Sequence, residues 1–227
     1  IRMLSLVLGS STHAFELMLS TFILGLALGG LAVRRHVDAA ASPERLLGWV
    51  QVAMGLAALA TLPLYNFIFE LMEALMRGLA RTDTGYLFFN LAGQGIAALV
   101  MLPTTFLAGM TLPLITGALL RRGAGERAIG RVYAANTFGA IAGVLFAVHL
   151  GLPALGLKGA LLAGCAVDIA LGLALLRAFP GRSFLWAGAA SAALLLATLA
   201  ARQTPVAGLV LIAAGGRLRL KNDLKAK

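Results

Sequence analysis

Charged side chains are scarce in this chain of 227 residues: aspartate, glutamate, lysine and arginine together make up only 12% of it. Soluble domains carry roughly a quarter of such residues. Hydrophobic residues reach 60% instead, and the mean hydropathy is +0.91. This composition excludes a water-soluble globular protein, and we expect lipid to surround most of the side chains.

Cysteine is almost absent, since Cys165 is the only one in the sequence. A single thiol forms no internal disulfide, and no ligand pattern for a metal surrounds it. Cys165 lies inside an apolar block, where a thiol packs as a small hydrophobic side chain. We therefore expect neither a metal centre nor a cofactor in this chain.

Acidic residues are fewer than basic ones: the chain has 9 aspartates and glutamates against 19 lysines and arginines. The formal net charge is +10. In a soluble protein such an excess would suggest a nucleic-acid partner. Here the basic residues stand at the ends of apolar blocks, where the positive-inside bias and anionic inner-leaflet lipids account for them. The expected partners are the lipid bilayer and other membrane subunits or further copies of the chain, with no nucleic acid.

Long apolar blocks are what the sequence has in quantity. Residues 14–33 contain one ionisable side chain, and residues 184–201 contain none. Strands of a membrane barrel would alternate apolar and polar residues, whereas these blocks are apolar on every face. A helix of about 20 apolar residues crosses the hydrocarbon core. The sequence therefore predicts an all-α polytopic membrane protein, a bundle of about six to seven transmembrane helices with a short C-terminal β-hairpin.

Breaks between the blocks place the predicted spans. Residues 69–81 repeat Phe69, Met72 and Met76 at helical spacing, which is typical of an amphipathic helix lying in the interface. A turn is predicted at Leu152-Pro153. The complete spans are expected at residues 12–33, 46–68, 86–120, 132–152, 159–176 and 184–201.

The stretch 86–120 is too long for one straight crossing, and Pro103 and Pro113 interrupt it. It forms either one kinked helix or two short ones, and we favour one. A single crossing puts the basic loops at 34–45, 121–131 and 177–182 in the cytoplasm but the basic tail outside. Two crossings put the tail inside and the loop 121–131 outside, and both schemes stay open at this stage.

The end of the chain changes character. Residues 206–213 are apolar but too few to cross a bilayer. After Gly215-Gly216 the run Arg217-Leu-Arg-Leu-Lys221 alternates, which favours a β-hairpin over a stub of another helix. We thus predict a transmembrane helical domain, 1–204, and a hairpin or basic tail, 205–227, that opens a truncated soluble domain. Residues 1–9 suggest a longer apolar segment upstream.

Two carboxylates stand within the predicted spans. Glu16 lies about a turn inside the first span, and Asp168 lies near the middle of a later one. A carboxylate in hydrocarbon must face a cavity, pair with a basic group or be protonated. Arg2, His13 and His149 are candidate partners. Asp168 is either part of a proton-coupled or cation-binding site or a buried bond that fixes packing; for Glu16 we favour packing.

Three amide side chains complete the candidate polar set. Asn90 and Gln94 fall one turn apart on one helix face, where they either line a polar pocket or bond a neighbouring helix; the second is commoner. Asn136 enters a predicted span directly after a basic loop and is followed by small residues. This pattern suits a helix end that packs closely against another segment.

Glycines at a spacing of four mark two predicted helix-packing faces. Gly25 and Gly29 form one, and Gly139 and Gly143 form the other. Without a Cβ atom, two backbones can approach closely and gain van der Waals contact. Helix packing is the favoured interpretation, and a substrate path lined by backbone is the alternative.

Several runs of residues share an order and spacing with a known family. They are Arg2-Met-Leu-Ser-Leu-Val-Leu-Gly9-Ser-Ser-Thr-His-Ala14, Phe22-Ile-Leu-Gly25-Leu-Ala-Leu-Gly29, Leu107-Ala-Gly-Met-Thr-Leu-Pro113-Leu, Gly130-Arg-Val-Tyr-Ala-Ala-Asn136-Thr-Phe-Gly139-Ala and Leu152-Pro-Ala-Leu-Gly156. Through them, residues 2–156 resemble the membrane domain of the spermidine-synthase-like membrane proteins, in which a major-facilitator-like domain is fused to a spermidine synthase. The later spans are similar only in hydropathy.

The resemblance implies a soluble aminopropyltransferase-like domain that opens with a hairpin similar to residues 216–223. This chain has no glycine-rich nucleotide loop after a strand and no acidic residues placed for decarboxylated S-adenosylmethionine or a polyamine. No catalytic residue is carried over, and we lean against enzyme activity in this chain. The resemblance implies a membrane anchor or a transport-like module for polyamines or another cation, multi-pass in the inner (cytoplasmic) membrane. The alternative is a structural accessory subunit of a larger membrane complex.

Overall fold

The computed structural model describes residues 12–37, 42–78, 83–179, 188 and 191–192, and the structural statements below concern these residues. They are helical, in agreement with the predicted fold class. The predicted C-terminal hairpin and the whole of residues 205–227 lie outside the described residues. The helices are α1 (Thr12–Val37), α2 (Pro43–Gly78), α3 (Asp83–Arg121), α4 (Arg127–Phe146), a π-helical segment (Ala147–Gly151) and α5 (Leu152–Leu176).

Within this part of the chain, four stretches are long and apolar enough to cross a membrane: Ala14–Arg34, Pro43–Leu64, Asn90–Arg121 and Arg127–Leu176. Three of them end or begin at an arginine, which cannot enter hydrocarbon without cost. The classification as a membrane-type helical protein is therefore supported by both composition and helix length.

The second helix differs from the prediction, and the third forms the single helix favoured for it. Residues 69–78 continue α2 without a break, so the predicted interfacial helix is not a separate element over these residues. The period of Phe69, Met72 and Met76 is helical in either case, and a pattern of this kind does not report whether the helix is continuous with the one before it. The stretch 86–120 forms one helix, α3, with Pro103 and Pro113 inside it.

The first three helices alternate in direction. Near the start of α1, Met18 clusters with Ile96 of α3 and Ile68 of α2. At the other end of α1, Val33 clusters with Leu114 of α3 and Leu47 of α2. Residue numbers thus rise together along α1 and α3 and fall along α2, so α1 and α3 are parallel and α2 is antiparallel to both.

Helix α5 packs antiparallel to α2. Leu59 of α2 clusters with Cys165 of α5, and nearer the start of α2, Val52 clusters with Leu176 of α5. Leu175 reaches the same apolar cluster as Val33. The ends of α1, α3 and α5 therefore meet the start of α2 at one end of the bundle, which we call the basic end for the arginines described below.

Helix α5 is broken near its start, at Gly156, which has φ +68° and ψ 180°. Glycine adopts this backbone conformation without a Cβ penalty, whereas other residues are strained there. The turn predicted at Leu152-Pro153 is therefore displaced by three or more residues: Pro153 lies in the first turn of a helix, where its missing N–H costs no hydrogen bond.

Helix α4 stands apart from the rest of the bundle. Of its residues, all of which are described, only Ala128 is buried. Phe138, Val144 and Phe146 are among the large apolar side chains left exposed on it. Helix α4 begins at the basic end, because only the short loop 122–126 separates it from α3. The stretch 127–176 thus begins and ends at the same end of the bundle.

Candidate functional site

The closest helix contact joins α1 to α3. A Cβ atom at Gly25 would collide with the Thr105 side chain, and one at Gly29 would collide with the carbonyl oxygen of Phe106. In the reverse direction, a Cβ atom at Gly109 would collide with the carbonyl oxygen of Leu26. The two backbones therefore touch, which is the arrangement that small residues at a spacing of four permit in membranes.

A polar contact crosses this same interface. Gln94 Nε2 of α3 donates a hydrogen bond of 2.8 Å to Thr21 Oγ1 of α1, and Thr21 Oγ1 donates one of 2.9 Å to the carbonyl oxygen of Leu17. Gln94 Oε1 is buried without a hydrogen-bond partner. Asn90, one turn earlier on α3, is half-buried. Gln94 thus bonds a neighbouring helix, the commoner of the two arrangements considered for it.

A second close contact, between α2 and α5, was missed by the reasoning from sequence. A Cβ atom at Gly48 would lie 2.9 Å from Leu176 Cγ, and one at Gly172 would lie 2.7 Å from the carbonyl oxygen of Gly48. A Cβ atom at Gly55 would lie 2.9 Å from the carbonyl oxygen of Cys165. Gly48 and Gly55 are seven residues apart, and this heptad spacing is the signal that could have identified them.

Asp168 lies at the edge of the α2–α5 contact. It is half-buried on α5, and its neighbours Cys165 and Ile169 are buried in the cluster around Leu59. Among the described residues, no hydrogen bond or ion pair to its carboxylate is found, so His149 is not its partner here. Glu16 is exposed on α1, a different helix. The two carboxylates therefore do not form one site.

The candidates on α4 and beside it are exposed. Asn136 is exposed, and a Cβ atom at Gly139 or Gly143 would meet no atom within 4 Å. His149 lies in the π-helical segment, with Nδ1 3.0 Å from the carbonyl oxygen of Leu145. The structure thus brings Gln94, Gly25 and Gly29 together on the α1–α3 pair and leaves the residues of α4 apart from them.

The basic end gathers positive charge from four helices. Arg122 Nε donates to Glu44 Oε1 at 2.9 Å, and the two side chains are 69% and 24% exposed. This ion pair links the loop after α3 to the start of α2. The exposed arginines of the basic end are Arg34, Arg45, Arg121, Arg122, Arg127, Arg131 and Arg177.

In comparisons with known proteins, no protein-family model, curated protein or solved structure matches the chain. In the described part of the chain, no group of three or more histidine, cysteine, aspartate or glutamate side chains could hold a metal ion. What can be assigned from the geometry is a helix-packing unit, α1 with α3 and α2 with α5, and a charged end.

Proposed function

We propose that this chain is the integral membrane domain of a spermidine-synthase-like protein and that it serves as a membrane anchor. The backbone contacts at Gly29 and Gly172 support this proposal, because they hold two helix pairs at a separation with no room for a side chain between them. Helices packed this closely form a rigid unit, which suits an anchor that holds a soluble domain at the bilayer.

The proposed helix count rests on the stretch 127–176. Its 50 residues would measure about 75 Å as one helix, at about 1.5 Å per residue. The hydrocarbon core is only about 30 Å thick, and the stretch returns to the end at which it began. It therefore crosses twice and, with α1, α2 and α3, gives five crossings. The apolar residues 184–201 would add a sixth, in line with the predicted bundle of about six to seven.

The proposed orientation follows from the arginines. Basic residues flanking membrane helices stay on the cytoplasmic side, so the basic end faces the cytoplasm of a cell whose inner membrane the chain crosses several times. The arrangement of α1, α2 and α3 supports the scheme in which α3 crosses once. Under that scheme a sixth crossing carries the basic tail to the opposite side.

Membership of the family is tested by the coding sequence beyond Lys227. We expect the reading frame to continue into a methyltransferase-like domain with a glycine-rich loop after its first strand and acidic residues placed for a polyamine. A stop codon directly after Lys227 in the natural gene, or a downstream domain of another fold, would contradict the proposal. This test is independent of how the membrane domain behaves.

A transport-like module for polyamines or another cation is the second candidate, and the half-buried Asp168 favours it. Proteoliposomes containing the chain are tested for uptake of radiolabelled spermidine, with Asp168→Asn and the matched control Glu16→Gln. An anchor gives no uptake above that of empty liposomes in any variant. Uptake that is lost in Asp168→Asn but kept in Glu16→Gln would contradict the anchor function and support the transport function.

A structural accessory subunit is the third candidate, and the exposure of α4 favours it. A subunit of this kind should purify in mild detergent within an assembly of defined composition. An anchor should give a particle that contains only this polypeptide, with detergent covering α4. Native mass spectrometry distinguishes the two outcomes, because it reports the mass of the intact particle.

A further inference from the structure

At the basic end, the start of α2 meets the end of α5. The surface at this junction, which we call the groove, combines two features. Arg45 and Arg177 are exposed above it, and neither forms an ion pair within the described part of the chain. Trp49 of α2 and Leu173 of α5 are half-buried directly below, packed against the cluster of Val52 and Leu176. The groove therefore has an exposed arginine one helical turn beyond each of two apolar side chains, Trp49 and Leu173.

The fold brings these residues together from distant parts of the sequence. Arg45 precedes Gly48 by one turn, and Arg177 follows Leu176. Because a Cβ atom at Gly48 would lie 2.9 Å from Leu176 Cγ, the two helix ends that carry the arginines are in direct contact. On α2, Trp49 lies one turn after Arg45 and so shares its helix face.

We propose that this groove binds the headgroup of an anionic phospholipid, with phosphatidylglycerol as the simplest example. Guanidinium groups bind phosphate through paired N–H donors, and two of them supply enough donors for both non-bridging oxygens of a phosphodiester. Tryptophan belongs at headgroup depth, where its ring is half in hydrocarbon and half in water. The acyl chain lies along Leu173 and Leu56, which continue the apolar part of the groove towards the middle of the membrane.

The charge around the groove favours an anionic lipid over a zwitterionic one. Glu44 is the acidic residue beside Arg45, and its carboxylate is engaged by Arg122. Basic groups near an anionic membrane surface contribute about 1 kcal/mol each. Loss of both groove arginines should therefore weaken binding about 10- to 30-fold.

Quenching of Trp49 by brominated lipid tests the proposal. The full chain is purified in neutral detergent with Trp186→Phe, which leaves Trp49 as the only tryptophan. Brominated phosphatidylglycerol and brominated phosphatidylcholine are titrated separately. We expect phosphatidylglycerol to quench Trp49 at a much lower concentration, and we expect Arg45→Gln with Arg177→Gln to raise that concentration about 10- to 30-fold.

The matched control removes the same charge from the same end of the bundle. Arg127→Gln with Arg131→Gln lies on α4, away from the groove, and should leave the titration unchanged. Arg45→Lys with Arg177→Lys keeps the charge but not the paired N–H donors, so it should retain a weaker preference for phosphatidylglycerol, which also shows that the groove tolerates substitution. Equal quenching by both lipids, an equal loss in the α4 control, or displacement of the lipid by millimolar inorganic phosphate would overturn the proposal.

Discussion

Glu44 and Arg122 are 78 residues apart in the sequence and 2.9 Å apart in the structure, through Oε1 and Nε. The pair joins the start of α2 to the loop after α3. This contact follows from the antiparallel packing of α2 and α3, which puts the start of one helix beside the end of the other. The ion pair thus marks the end of the bundle at which the start of α2 and the loop after α3 meet, although an exposed pair of this kind contributes only about 0–1 kcal/mol to stability.

Crosslinking tests this contact directly. In a Cys165→Ser background, Glu44→Cys with Arg122→Cys should be joined efficiently by a short bis-maleimide, because the two positions lie side by side. Glu44→Cys with Lys158→Cys is the control and should not be joined, since Lys158 follows the break at Gly156, away from the basic end. Electrophoretic mobility after proteolysis in the loop between α2 and α3 reports the crosslink, and its absence in the first pair would contradict the arrangement.

Because the backbones of α1 and α3 touch, we expect even the small substitution Gly29→Ala to lower the free energy of unfolding strongly. Gly29→Ala places a methyl group against the carbonyl oxygen of Phe106, so the helices must separate, at a cost of about 1–3 kcal/mol. Gly143→Ala adds the same atoms in open space and should cost nothing or stabilise slightly. Unfolding in increasing mole fractions of sodium dodecyl sulfate, followed by circular dichroism, compares the two. Equal stability of the two variants would contradict the contact.

Because of the Gln94–Thr21 hydrogen bond, we expect substitutions of its two partners to lower the stability by unequal amounts. Thr21→Val leaves the amide of Gln94 without its acceptor, in addition to the Oε1 that already lacks a donor. Gln94→Leu removes both buried polar atoms at once and should cost less. Interhelical bonds of this kind in membranes contribute about 0.6 kcal/mol on average. A double-mutant cycle measures the coupling, and a coupling of zero would mean that the bond is not formed in the folded protein.

Any side chain at position 156 should strain the backbone and lower the stability. With φ at +68° and ψ at 180°, alanine there should cost about 1–3 kcal/mol. Gly164→Ala on the same helix meets no atom within 4 Å and is the matched control. The thermal midpoint in detergent should fall for Gly156→Ala and stay near the parent value for Gly164→Ala. A Gly156→Ala variant as stable as the control would mean that the helix does not break there.

The helices themselves could be predicted from the sequence because their signals are local. Apolar length and terminal arginines placed α1, and Pro43-Glu44 at the start of α2 is a standard helix beginning. The single helix α3 could also be favoured despite Pro103 and Pro113, because prolines bend membrane helices more often than they end them.

The break at Gly156 and the pairing of helices could not be predicted in the same way. A proline next to leucine resembles a turn, yet Pro153 fits the first turn of a helix, and only the backbone angles identify Gly156 as the break. Gly25 and Gly29, spaced by four, lie at the α1–α3 contact, but Cβ atoms at Gly139 and Gly143, with the same spacing, would meet no atom within 4 Å in the described part of the chain. The local pattern permits a close contact and does not specify its partner.

The proposed sidedness is tested most directly by labelling single cysteines from outside the cell. In the Cys165→Ser background, Ala124→Cys reports on the loop between α3 and α4, and Lys158→Cys reports on the start of α5. We predict that a membrane-impermeant maleimide labels Lys158→Cys in intact cells and labels Ala124→Cys only after the membrane is permeabilised. Labelling of both positions from the same side would contradict the account, because the stretch from residue 127 could not then cross the bilayer before Gly156.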